Sequence, residues 1–277
     1  MLPANALETS EIARDADTPR CFAHDLPDAL FTSDALDEIC RAADARGELA
    51  VQVPDLARER VGQRPEFTQP RYPILQDALE RPVHYRIFNT ATWGPRSHAE
   101  CRARLYELAG PRASLGDIPR ETVVRVFSPG ALVALHGDPD AKLVAGIAGT
   151  TVWWVRPVHA MTQLQHENLL RGEFFLPFTE HPEERALRLD AGGACFVPAR
   201  WAHWLDHPCD AASVTFDVGF YTRNDLRDRK VYDVNWLMRK AHLSPGGPGG
   251  RLDRLKCLAF DGISTATRRG LHYRGHV

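Results

Sequence analysis

The chain has 277 residues, 44% of them hydrophobic and 25% charged, which is enough apolar material to bury a substantial core. Its formal charge of −2 gives no electrostatic case for nucleic acid or for an anionic membrane surface. No apolar run approaches the roughly 20 residues that a bilayer crossing needs, so no membrane-spanning segment is expected.

The opening stretch, MLPANALETSEIARDADTPR, lacks a basic segment followed by an apolar one. No signal peptide is therefore read, and cytoplasmic residence is the default expectation. Six cysteines lie scattered without C-x-x-C spacing, which argues against both a zinc knuckle and a disulfide framework. Residues 1 to about 25 are polar, mixed in sign and without period, and read as a loosely packed lead-in. A helix is signalled from Thr32 to Gly47 (TSDALDEICRAADARG). Thr32 or Ser33 can cap it, acids follow in its first turn, and Gly47 stops it. Proline punctuates residues 54 to 82, after which VHYRIF (83–88) reads as a short strand. SHAECRARLYELAG (97–110) reads as a helix capped by Ser97 and ended by Gly110.

After GDIPRE the texture changes. TVVRVFS, ALVALH, AKLVAGI and TTVWWVRP are short β-rich runs separated by Gly, Pro and Asp, the mark of antiparallel sheet with tight turns. Residues 158–184 read as an insertion with helix at MTQLQHENLL, and strands resume with ALRL, GACFVP and SVTFDVGFY. DLRDRKVYDVNWLMRKAHL looks helical, and SPGGPGG (244–250) breaks it; the structure of 251–277 stays open. The fold class expected is mainly β, a double-stranded β-helix of the cupin or jelly-roll kind with flanking helices. Three regions follow: 1–120, helical and irregular, packing on the core; 121–222, the jelly-roll core; and 223–277, a C-terminal helix and tail.

The chemistry concentrates in ALVALHGDPDAKLVAGIAGTTVWWV (131–155), where His136 and Asp138 stand one residue apart between two strands. The bland reading is a turn, because GDPD is strongly turn-forming. The sharper one is a metal site, since non-haem Fe(II) takes two neutral imidazoles and a carboxylate on one face and leaves the other positions open. Residues i and i+2 at a strand end can point the same way. The third ligand must come from a strand distant in sequence, and His203 fits, following GGACFVP, a strand whose end Pro198 marks. His207, between Asp206 and Pro208, is a rival better suited to a loop, and His159, His166 and His181 lack the spacing for a second site. Trp153, Trp201 and Trp204 are candidate pocket walls, though core packing is the alternative for all three.

From about Val123 to Tyr221 the chain resembles the JmjC-type cupin hydroxylases, which are Fe(II)- and 2-oxoglutarate-dependent oxygenases. Two features carry the resemblance: the strand–H-x-D–strand–G–strand order of LVALHGDPDAKLVAGIAGTTVWWV, and GGACFVPARWAHWLDH with its Gly, apolar strand, Pro, aromatic and His. SVTFDVGFYT is similar to the strand that closes that family's pocket. The resemblance implies Fe(II) held by His136, Asp138 and His203, 2-oxoglutarate as co-substrate yielding succinate and carbon dioxide, and hydroxylation of a small-molecule or peptide substrate. The family commonly places a lysine or arginine against the far carboxylate of 2-oxoglutarate near the position of Thr151, where this chain has no cation. Lys142 or Arg125 could supply that charge from another direction. Two other functions stay open: a metal-dependent cupin enzyme that does not use 2-oxoglutarate, and a metal-free jelly-roll binding protein. Val231, Val234, Leu237 and Met238 fall at helical spacing, as a homodimer or docking helix would need and as simple packing would also give.

Overall fold

A computed structural model describes residues 18–55, 66–109, 118–169, 180–208, 210–246 and 250–267, with backbone alone for 169 and 262–267. Among the described residues twelve strands form two antiparallel sheets. They are β1 (Arg20–Ala23), β2 (Leu49–Val53), β3 (Glu66–Phe67), β4 (His84–Phe88), β5 (Ile118–Phe127) and β6 (Leu132–Gly137), then β7 (Ala141–Ala148), β8 (Thr150–Arg156), β9 (Arg185–Asp190), β10 (Gly193–Val197), β11 (Ala202–Asp206) and β12 (Ser213–Tyr221). The larger sheet runs β1-β10-β7-β12-β5-β4-β2-β3 and the smaller β6-β11-β8-β9. From β5 onward the strands alternate between the two sheets, save that β8 and β9 both lie in the smaller one, in the manner of a double-stranded β-helix, the architecture expected from the sequence.

Alternation along the strands of the larger sheet serves two separate cores. Val214, Phe216, Val218 and Phe220 of β12 join Val124 and Val126 of β5 and Leu143 and Ala145 of β7 on the outer face. Helices α1 (Ser33–Asp44), α2 (Ile74–Glu80) and α4 (Arg96–Ala109) cover that face with Leu36, Ile39, Ile74 and Leu105, all buried; the short α3 (Thr90–Trp93) precedes α4. The intervening residues look inward at the smaller sheet, where Phe127, Val144 and Val197 meet Trp153, Val155, Leu189, Trp201 and Leu205. A strand buried on both faces loses its polar alternation, and all nine residues of β12 are buried.

The start of α1 obeys its sequence signal, with the Thr32 hydroxyl accepting from the Ala35 amide and Gly47 beyond the helix at φ +70°. Helix α5 (Gln163–Leu169) lies in the insertion, and α6 (Arg223–Lys240) opens with a capping box between Thr222 and Asp225. Helix α7 (Asp253–Thr267) occupies the stretch whose structure the sequence left open.

Three findings depart from the sequence reading. Residues 20–23, within the supposed lead-in, are strand β1, paired with β10 at the sheet edge. Strands β2 and β3 also arise inside the region expected to be helical and irregular, extending the larger sheet beyond β4. Of the four apolar positions on α6, Val231 and Val234 are buried but Leu237 is 41% exposed. Residues 1–17, the Gly110 helix stop, 170–179 of the insertion, Gly247 to Gly249 and the tail from 268 lie outside the described residues. No helix among the described residues is long and apolar enough to cross a membrane.

Candidate metal centre

His136 and His203 are directly opposed partners on β6 and β11 of the smaller sheet. Between this pair and the next, Val133 opposite Leu205, β6 carries one residue more than β11. This β-bulge has a consequence for aim. Strict alternation would set His136 on the face opposite Val133, whereas the extra residue lets both look inward while Leu135 packs outside with Met161 and Trp204. Asp138 follows directly in the β6–β7 turn, and its carbonyl accepts from the Arg200 amide at 2.8 Å. Arg200, at φ +67°, makes the sharp turn between β10 and β11. It also reaches α6, pairing with Asp228 at 3.0 Å. The turns that carry Asp138 and that lead to His203 are thereby tied together.

One ligand atom from each of His136, Asp138 and His203 can be chosen so that all lie within 4.8 Å of one another. The two imidazoles are set for metal in the same way. Each Nδ1 meets the carbonyl two residues earlier, Ala134 at 2.7 Å and Trp201 at 2.9 Å. A carbonyl only accepts, so the proton sits on Nδ1 and the Nε2 lone pair is left facing inward. His203 Nε2 is buried without a hydrogen bond and lies 3.6 Å from Asp138 Oδ2. Burial, then the neighbouring His203, pull the His136 pKa down to about 3, and burial likewise lowers that of His203. Burial alone would raise the Asp138 carboxyl. Lys142 first, then the imidazoles, hold it instead well below the usual carboxylate range. Two neutral imidazoles and one carboxylate with a lone pair to spare are the donor set a divalent ion requires, so the residues fit.

Lys142 stands beside this triad rather than apart from it. Its ammonium is buried 3.2 Å from Asp138, 3.3 Å from Glu121 and 3.6 Å from Asp140. Asp140 pairs in turn with Arg120. Gly219 makes room for this cluster, because a Cβ there would come within 2.5 Å of Asp140 Oδ2. Arg125 is fully buried in the larger sheet and is paired through its Nε with Asp217. Thr151 is buried on β8, its hydroxyl 3.3 Å from His207 Nδ1 and 3.5 Å from the Ser213 hydroxyl. His207 is part of that inner end, stacked on Phe127 at 3.8 Å, and is no member of the triad.

Pro198 and Arg200 carry the chain from the GACFV strand, β10 of the larger sheet, across to β11 of the smaller one, which holds His203. Two corrections concern detail. Trp153 stacks on His203 at 5.1 Å and Trp201 is in the inter-sheet core, but Trp204 faces the other way, stacked on Trp154 at 5.2 Å. The sequence reading also passed over Arg86, which is directly opposite Arg125 on β4. Its signal was the alternation His84, Arg86, Phe88, two of them polar on one face of a largely buried strand.

No protein-family model matches the sequence, and no curated protein matches it either. Solved structures do match in fold. The X-ray structure of E. coli YcfD aligns with 99% of this chain and 70% of its own, at TM-score 0.53 and 14% identity. YcfD, described as a ribosomal oxygenase from Escherichia coli, in complex with cobalt and succinic acid aligns with 96% of this chain and 68% of its own (TM-score 0.51, 13% identity). The same oxygenase with cobalt and 2-oxoglutarate aligns with 91% and 64% (TM-score 0.50, 12% identity). At such identities the likeness is one of fold, a double-stranded β-helix with flanking helices.

Proposed function

We propose that this protein is a non-haem Fe(II)- and 2-oxoglutarate-dependent oxygenase that hydroxylates a small-molecule or peptide substrate. The observation that carries this reading is the convergence of His136, Asp138 and His203, with a backbone carbonyl on the Nδ1 of each histidine. The binding of cobalt with succinate or 2-oxoglutarate by the ribosomal oxygenase YcfD supports it by analogy of fold. His136, Asp138 and His203 would hold the iron, which supplies the capacity to activate dioxygen when 2-oxoglutarate is bound. The chain's own work is geometric. The hydrogen bonds to Ala134 and Trp201 fix both ring orientations, Lys142 holds the Asp138 carboxylate in its ionised form, and Trp153 stacks against His203.

The test is conversion of 2-oxoglutarate to succinate under air, with and without added Fe(II), alongside metal analysis. Iron-dependent succinate formation that disappears in His136→Ala is expected. Metal bound at one equivalent with no succinate formed would favour a second reading, a metal-dependent enzyme that does not use 2-oxoglutarate. One observation favours that alternative, the hydroxyl rather than a cation at Thr151. Failure to bind any divalent metal would leave a binding protein.

A further inference from the structure

Behind the triad, the inner face of the larger sheet carries a charge arrangement that stability alone does not explain. Arg86 of β4 and Arg125 of β5 are directly opposed in register, so two guanidinium groups project from neighbouring backbones on one face. Like charges placed directly opposite each other destabilise a sheet. Asp217 answers only one of them, through Arg125. Arg86 has its Nε buried without an acceptor among the described residues. Nearby, both nitrogens of His84 and the Nε2 of His207 are also buried without hydrogen-bond partners. These two rings sandwich Phe127, at 4.1 Å and 3.8 Å, and His207 joins the Thr151 hydroxyl. A half-buried guanidinium whose Nε lacks an acceptor, with unanswered histidine nitrogens nearby, describes a seat for an anion with acceptor oxygens.

Charge across the inner face leads to the same conclusion. Asp138, Asp140, Glu121 and Asp217 stand against Lys142, Arg120, Arg125 and Arg86, so the protein groups cancel. A divalent ion at the triad then leaves two positive charges for a ligand to balance. A dicarboxylate supplies both, one end at the metal and the other at the arginines. Lys142 is not free for this role because three carboxylates surround it. Arg125 is clamped by Asp217, whereas Arg86 has no carboxylate paired with it among the described residues and lies over the Phe88 ring at 4.8 Å.

We propose that Arg86, backed by Arg125, binds the far carboxylate of the 2-oxo dicarboxylate from the larger sheet, in place of a cation at position 151 on the smaller one. The inference rests on the oxygenase reading above and assigns the residue that selects a dicarboxylate over a monocarboxylate. Burial and the adjacent Arg125 already depress the Arg86 pKa to about 10, the direction expected of a cation waiting for its counter-charge.

Titration calorimetry on the full chain loaded with Co(II) tests it, using 2-oxoglutarate and pyruvate, which share a chelating end and differ in the second carboxylate. The unaltered protein should bind 2-oxoglutarate at least tenfold more tightly than pyruvate. Arg86→Met should abolish that preference, leave pyruvate binding and Co(II) stoichiometry unchanged, and keep or raise the thermal midpoint. Arg86→Lys should restore part of the preference. An Arg86→Met protein that still binds 2-oxoglutarate as tightly as the unaltered one overturns the assignment and leaves the oxygenase reading standing. If the unaltered, Co(II)-loaded protein binds neither acid, both fall together.

Discussion

The two faces of the larger sheet come from the same strands and have opposite characters. Outward, Val214, Phe216, Val218 and Phe220 are closed under α1, α2 and α4 as a conventional apolar core. Inward, one residue out of step, Thr215, Asp217 and Gly219 face Arg125, Glu121 and Lys142. The outer face stabilises, with each fully buried large apolar side chain contributing about 1.5–3 kcal/mol. The inner face holds ionised groups whose desolvation is repaid only by good pairing, and sometimes not fully. The outer face thus carries apolar packing, whereas the inner face combines an apolar core with the charged groups beside the triad.

Four outcomes can break or sharpen that contrast. The largest is expected from His203→Ala, which removes an inward imidazole. Co(II) affinity should fall by about 100-fold or more, while the metal-free protein stays folded by circular dichroism. Retained stoichiometric metal would show that the triad is not the site. Next, Phe216→Ala on the outer face should cost about 3–5 kcal/mol in urea unfolding yet leave metal stoichiometry unchanged.

Third is a dependence on pH. His84, His98, His136, His166, His203 and His207 are all buried with pKa values pulled below the ordinary 6.5, burial being the main cause in each. The unfolded chain takes up protons on these rings below about pH 6.5 while the folded one does not, so stability should fall as pH drops from 7 to 6. Each ring contributes roughly half a kcal/mol over that interval. Asp140, raised to about 6 mainly by burial, works the other way as a single group. Urea midpoints at the two pH values, measured without metal, decide the sign. The smallest effect should come from Trp204→Phe. Although next to His203, it faces away from the triad and bonds Glu184 at 3.1 Å. Its loss should cost under about 1 kcal/mol and leave Co(II) affinity unaltered.

Much of this was legible before any coordinates. Short β-rich runs punctuated by Gly, Pro and Asp disclosed the sandwich, because turn chemistry and alternation are local properties. His136, Asp138 and His203 were legible because H-x-D spacing and a histidine after Gly–strand–Pro together make a distinctive pattern. What was not legible depends on partners far along the chain. Strand β1 exists because Cys21 and Phe22 pair with Cys195 and Ala194, which nothing in a four-residue segment announces. The bulge in β6 is likewise invisible in ALVALH, where simple alternation would group the residues differently. Arg86 escaped notice because an arginine in a short strand normally reads as a solvent-facing residue. Only its register opposite Arg125 gives it meaning.

The contact between the Arg200 amide and the Asp138 carbonyl, together with the Arg200–Asp228 ion pair, has a mechanical consequence. The β6–β7 and β10–β11 turns and helix α6 are tied as one bracket, which gives α6 a route to Asp138 that does not pass through the sandwich interior. Peeling that helix away would loosen the turn that carries Asp138 before the two sheets came apart.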